Sequence, residues 1–260
     1  MSKIKIIDTH CHIYSTELAE HLAGIMARAN EATVDYILMP NVDGSTIDAM
    51  MEVEKNYPNC LSMMGLHPCS VNEGYRQALQ EVENWFGKRK FVGVGETGID
   101  LYWDKTWIEE QKICFDFQIG LAKEHQIPVI IHSRDSLEIT IAMIKERQDG
   151  NLKGIFHCFT GTEDQAKEIM DLNFYLGIGG VVTYKNADLP VVLTKTGPSN
   201  VVLETDAPYL PPVPHRGKKN EPAFIVHVLE KLSEVFQLSK EDVGALTTSN
   251  AINLFGLAPK

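Results

Sequence analysis

Eight short runs of apolar and β-branched residues, most of them separated by segments of helical periodicity, constrain the fold more than any other feature of this sequence. They occupy residues 4–7, 34–39, 61–66, 91–94, 129–131, 155–156, 174–178 and 201–203. Each run is apolar on both parities, as a parallel strand buried on both faces must be, whereas a strand with one wet face alternates. Helical patterns cover 17–30, 46–56, 77–86, 107–126, 136–147, 163–171 and 222–236, and Ser136 and Thr162 stand where an N-cap belongs. Strand and helix in alternation imply a parallel α/β sheet. Eight strands fit a closed (β/α)8 TIM barrel, and an open doubly wound sheet is the rival that periodicity alone leaves standing. The 260 residues match a barrel of about 250 residues, so 1–260 is expected to be one domain.

The strand ends break the tie. Asp8-Thr9-His10-Cys11-His12 follows the first run, and alternation along an extended chain turns His10 and His12 to one side. Taken alone, an H-x-H is as easily a packed histidine as a metal ligand. Glu96, His132, His157 and Asp206 stand at the ends of four further runs. Only a closed sheet brings ligands from so many strands to one point, and chance rarely sets imidazole or carboxylate at every one. Six ligands exceed what one catalytic zinc takes, so two metals are expected. A carboxylate can bridge two cations, which makes Glu96 the bridge. His10, His12 and Asp206 then join it on one metal, and His132 and His157 on the other. Histidine-rich ligation admits Zn2+ or Mn2+, and phosphodiester chemistry often runs on Mg2+.

Asp8-Thr9-His10-Cys11-His12, Gly65-Leu66-His67-Pro68, Gly95-Glu96-Thr97-Gly98-Ile99-Asp100, Ile131-His132-Ser133-Arg134, His157-Cys158-Phe159-Thr160-Gly161 and Leu203-Glu204-Thr205-Asp206-Ala207-Pro208-Tyr209-Leu210 together resemble the TatD family of metal-dependent deoxyribonucleases. That family lies within the amidohydrolase-like barrels, and the resemblance runs over essentially the whole chain. It implies a TIM-barrel hydrolase that cleaves DNA phosphodiesters with divalent metals, read here as acting on single strands or strand ends and exonucleolytically. The family's ligand positions coincide with the six named above. Relatives that hydrolyse lactones or phosphotriesters carry a carboxylated lysine as the bridging ligand, where this chain has Glu96.

In the expected mechanism two metals activate a water, Asp206 accepts its proton, and Glu96 holds the ions about 3.5–4 Å apart. The alternative keeps the metals and changes the bond to an ester or amide, such as an aminoacyl ester on tRNA. A metal-dependent binding module without turnover is a third reading, disfavoured by the complete ligand set. His67 ends the third run and either touches substrate or holds a loop. Arg134, beside His132, and Arg216, Lys218 and Lys219, in the proline-rich loop after Asp206, set cationic side chains near the metal site in an otherwise acidic chain, which suits a phosphate. His21, His125 and His227 fall in helical patterns and read as surface or packing residues. Gly93-Val94-Gly95-Glu96-Thr97-Gly98 matches G-x-G-x-x-G, but a carboxylate inside that loop repels a pyrophosphate, and the glycines serve a tight turn around Glu96 instead.

A net charge of −11 argues against a protein that coats nucleic acid nonspecifically, without excluding a nuclease whose metals offset that charge. Five cysteines without a C-x-x-C pair suggest free thiols in a reducing compartment. Cys11 and Cys158 adjoin ligands but alternate away from them. Neither a signal peptide nor a membrane span is visible, so the expected location is the cytoplasm, with no membrane and no obligate protein partner.

Overall fold

The computed structural model describes residues 5–258; Ile4, where the first apolar run begins, lies outside them. Eight strands appear among the described residues: β1 (Ile6–Asp8), β2 (Val34–Pro40), β3 (Cys60–Met63), β4 (Val94–Asp100), β5 (Val129–Arg134), β6 (Gly154–Phe156), β7 (Phe174–Ile178) and β8 (Val201–Leu203). All pairings between neighbours are parallel, in the orders β1-β2-β3 and β4-β5-β6-β7-β8.

Two seams close these arcs into a barrel. Between β3 and β4, Met64 bridges Val94, and the Gly95 N–H donates to the Met64 carbonyl at 3.0 Å. The backbones come so close there that a Cβ on Gly65 would lie 2.8 Å from Gly95. Between β8 and β1, the Thr9 N–H donates to Leu203 O at 3.0 Å, the Asp206 N–H to His10 O at 2.9 Å, and Cys11 bridges Ala207. The Asp8 carboxylate ties this seam by accepting from the Thr205 N–H (2.9 Å) and hydroxyl (2.6 Å). Burial pushes its pKa up to about 8 despite those bonds.

Alternation along the strands sorts the core into two layers. Ile7, Leu38, Met63, Ile130, Ile155 and Val202 fill the barrel interior. Their neighbours Ile6, Ile37, Met39, Ile131, Phe156 and Leu176 face outward into the helical layer. That layer contains α1 (Thr16–Ala19), α2 (Leu22–Glu31), α3 (Ile47–Asn56), α4 (Tyr75–Lys88), α5 (Ile108–His125), α6 (Leu137–Arg147), α7 (Glu163–Asp171), α8 (Leu189–Thr196), α9 (Ile225–Phe236) and α10 (Lys240–Phe255). Ala251, Leu254 and Phe255 of α10 pack against the interior residues.

Most expected elements recur with shifted ends. The fourth strand differs most: it begins at Val94, where the expected one ended, and contains Glu96. Gly93, Gly95 and Gly98 read as a loop, yet the chain stays extended through a register shift between Val94 and Thr97. The first helical pattern splits into α1 and α2. Thr162 is the expected N-cap and in addition closes a capping box with Gln165. Ser136 occupies its cap position, but its hydroxyl donates to the Ile99 carbonyl at 2.6 Å and caps nothing.

Candidate metal centre

Parity along the strands delivers most of the polar groups to the carboxyl mouth. His132 follows interior Ile130 by two residues, His157 follows Ile155, and Glu204 and Asp206 follow Val202. Glu96 needs the bulge, because Val94 two residues earlier faces the helices. Gly95 (φ +144°) and Gly98 (φ +142°) make that path possible: a Cβ on Gly98 would stand 2.1 Å from the His132 carbonyl oxygen.

The two oxygens of Glu96 face different histidines. Oε2 lies 3.0 Å from His10 Nε2 and 3.4 Å from His12 Nε2, which are 3.3 Å from each other. Oε1 lies 2.7 Å from His132 Nδ1 and 3.3 Å from His67 Nε2. His157 stands between the groups: its ring stacks on His10 with centroids 3.5 Å apart, and Nε2 is 3.8 Å from Glu96 Oε1 and 3.9 Å from Asp206 Oδ1. Asp206 Oδ1 is 3.8 Å from His10 Nε2 and 3.7 Å from His12 Nε2. All six expected ligands therefore converge. His67 also enters the cluster, sharing with Glu96 and His132 a triangle able to hold a cation.

These separations fit divalent metal binding. Donors about 2.1 Å from a tetrahedral ion lie about 3.4 Å apart, close to the spacing of His10, His12 and Glu96 Oε2. Imidazole and carboxylate are also the right donor chemistry for such ions.

A further set of partners orients the expected ligands, as carboxylates and hydroxyls behind metal-bound histidines generally do. His132 Nε2 lies 2.8 Å from Asp100 Oδ2, and His157 Nδ1 lies 2.9 Å from Glu204 Oε1. His12 Nδ1 is 3.0 Å from the Tyr14 hydroxyl, which donates to the Pro40 carbonyl. Sequence reasoning missed Asp100, Glu204 and Tyr14 in these roles. A signal existed, since Glu204 shares the parity of Asp206, and Tyr14 that of His12.

Electrostatics fit a site built around positive charge. Burial favours neutral Glu96, but His67, His10 and His157 outweigh it and hold its pKa well below the usual range. His157 shows the opposite balance. Burial disfavours its charge, yet Glu204, Glu96 and Asp206 raise its pKa to about 10. Burial lifts Asp206 to about 6, with His157 and His12 pulling the other way. His10 falls well below its ordinary value through burial and the neighbouring His157.

Of the expected substrate contacts, Arg134 has its guanidinium carbon 3.7 Å above the Tyr102 ring, and Arg216 has its own 3.9 Å above Tyr184. Lys218 is exposed, while Lys219 donates to the Glu17 carbonyl. His125 stacks on Phe86, and His227 Nε2 meets His215 Nε2 at 3.1 Å, so both are packing residues. All five cysteines are free. Cys158 is nevertheless close enough to His157 and Glu204 to share a cation with them.

The sequence model for TatD-related DNases matches residues 7–256. The chain belongs to this family. It is a metal-dependent hydrolase, similar to the metal-dependent hydrolase YabD of Bacillus subtilis (37% identical, covering 96% of this chain and 98% of YabD). It is 27% identical to the 3'-5' ssDNA/RNA exonuclease TatD of Citrobacter rodentium, over 98% of this chain and 99% of that protein. The crystal structure of the TatD homologue YjjV from Escherichia coli superposes with a TM-score of 0.92 at 28% identity, covering 98% of this chain and 99% of YjjV. As a TatD-family TIM barrel the chain has the expected fold. Among the described residues no helix is long and apolar enough to cross a membrane.

Proposed function

We propose that residues 1–260 act as one hydrolase domain that cleaves phosphodiesters at the ends of single-stranded DNA, and that His10, His12 and Asp206 would hold one divalent cation and His132 and His157 a second, with Glu96 serving both. The observation that carries this reading is the division of Glu96: Oε2 faces His10 and His12, and Oε1 faces His67 and His132. The relative named as a single-strand exonuclease supports the choice of substrate.

When bound, the cations supply Lewis acidity to a phosphoryl oxygen and to the attacking water. Asp206 accepts the proton of that water, from a position where its Oδ1 lies 3.8 Å from His10 Nε2 and 3.7 Å from His12 Nε2. Asp100 and Glu204 hold His132 and His157 in orientation. Arg134, Arg216 and Lys218 meet the phosphates of the flanking nucleotides. The five free cysteines suit the reducing cytoplasm.

The test compares single-stranded, double-stranded and circular DNA with a small carboxylic ester, each titrated with Mg2+, Mn2+ and Zn2+. Release of mononucleotides from linear single strands is expected. Turnover of the ester alone would move the reading to ester or amide hydrolysis. Full nuclease activity in Glu96→Ala would sink the bridged-metal reading.

A further inference from the structure

Trp103 is the most exposed of the large apolar side chains among the described residues, at 70%, and Tyr102 beside it is 52% exposed. Leaving a tryptophan in water forgoes one of the largest apolar burials a side chain offers. The pair is nonetheless held in place. Asp100 Oδ1 accepts from the Tyr102 N–H at 2.9 Å and the Trp103 N–H at 3.1 Å. The rings meet edge to face with centroids 4.9 Å apart. Arg134, paired with Asp100 across β4 and β5, lays its guanidinium carbon 3.7 Å over Tyr102 and 5.5 Å from Trp103. Among the described residues that guanidinium donates no hydrogen bond, so its N–H edge is available.

This platform is also registered to the metal centre. Glu96 Oε1 lies 2.7 Å from His132 Nδ1, and His132 Nε2 lies 2.8 Å from the same Asp100 whose other oxygen fixes the two aromatic residues. One short relay of polar contacts therefore ties the backbone at Tyr102 and Trp103 to Glu96.

Resting on the reading of the chain as a nucleic-acid hydrolase, we propose that Trp103, backed by Tyr102 and Arg134, is a stacking platform for the unstacked base next to the scissile phosphate, and that it makes cleavage depend on a base being there. Stacking on an exposed aromatic face is how single strands are held without sequence preference, because every base has a π-face. Tyr102 occupies the face of Arg134, which leaves the N–H edge to pair with the phosphate of the same nucleotide. A flat ring beside a cationic edge matches a nucleotide better than an acyl or sugar ester, which lacks the ring.

The test uses two single-stranded oligonucleotides, identical except that one carries abasic residues at its terminal positions. Wild type is expected to prefer the base-bearing end by about tenfold in kcat/KM, the range that loss of one stacked base gives. In Trp103→Ala that preference falls toward one, and Trp103→Phe restores part of it. A preference unchanged in Trp103→Ala overturns the platform. Cleavage of neither oligonucleotide defeats the nuclease reading instead, and the platform is then judged by binding to the metal-free protein. Fluorescence of Trp103, isolated by difference from Trp103→Phe, should be quenched by the base-bearing oligonucleotide and not by the abasic one; equal quenching by both overturns it.

Discussion

At the amino end of the barrel, Ile7, Leu38, Met63, Ile130, Ile155 and Val202 fill the interior and pack against Ala251, Leu254 and Phe255 of α10. At the carboxyl end, positions of the same parity on β5, β6 and β8 carry His132, His157, Glu204 and Asp206. Both ends are closely filled, but one end by dispersion and the other by ionisable groups whose charges depend on one another. The apolar end gains stability from every atom it encloses. The polar end is built from groups that are costly to bury and are kept for what they bind.

The comparison is sharpest where single substitutions should separate the two ends. Glu96→Ala is expected to lower hydrolysis by about a thousandfold or more and to reduce bound metal, measured by turnover and elemental analysis, while circular dichroism shows a folded chain. Ile155→Ala should do the reverse. Removing a fully buried aliphatic side chain costs about 2–5 kcal/mol, read by chemical denaturation, with turnover per folded molecule preserved. A folded Ile155→Ala protein without metal would erase the distinction between the ends. Asp100→Asn removes the carboxylate behind His132, and a loss of about 10–100-fold in metal affinity is expected from titration calorimetry.

The smallest effect concerns protons. In the metal-free protein His157 has its pKa raised to about 10 from the usual 6.5, so its contribution to stability is complete below 6.5 and is lost as pH rises through 10. A cation requires the neutral ring, so metal binding at pH 7 should release a proton, and affinity should rise with pH. Calorimetry in buffers of different ionisation enthalpy measures that proton. Binding heats independent of buffer would contradict the charge assigned to His157.

How legible each end was in the sequence follows from the same contrast. His10, His12, His132, His157 and Asp206 stood out because position at a strand end and parity along a strand are local properties of the chain. The bulge that turns Glu96 inward was hidden by its glycines, which read as a turn when they in fact let two strands approach and bend. Asp100 drew no role from the sequence, since only the fold brings His132 to it. His67 was ambiguous for a similar reason, as its distance to Glu96 depends on how the β3–β4 seam closes. Helices α8 and α10 gave no usable pattern. The buried face of α10 includes Gly244, Thr247 and Asn250, and Asn250 is turned to bonding the Ser199 and Val201 carbonyls. A polar core face defeats a search for apolar periodicity.

The seam between β8 and β1 also has a consequence in time. Asp8 and Thr205 are 197 residues apart, and their bonds, with that from the Asp206 N–H to His10 O, hold the first ligands beside the last. During synthesis His10, His12, Glu96, His132 and His157 all emerge before Asp206, so a nascent chain carries five of the six proposed ligands without the proposed proton acceptor. Contacts this distant in sequence form late in folding. On the proposed assignment, hydrolysis waits for the eighth strand to close onto the first.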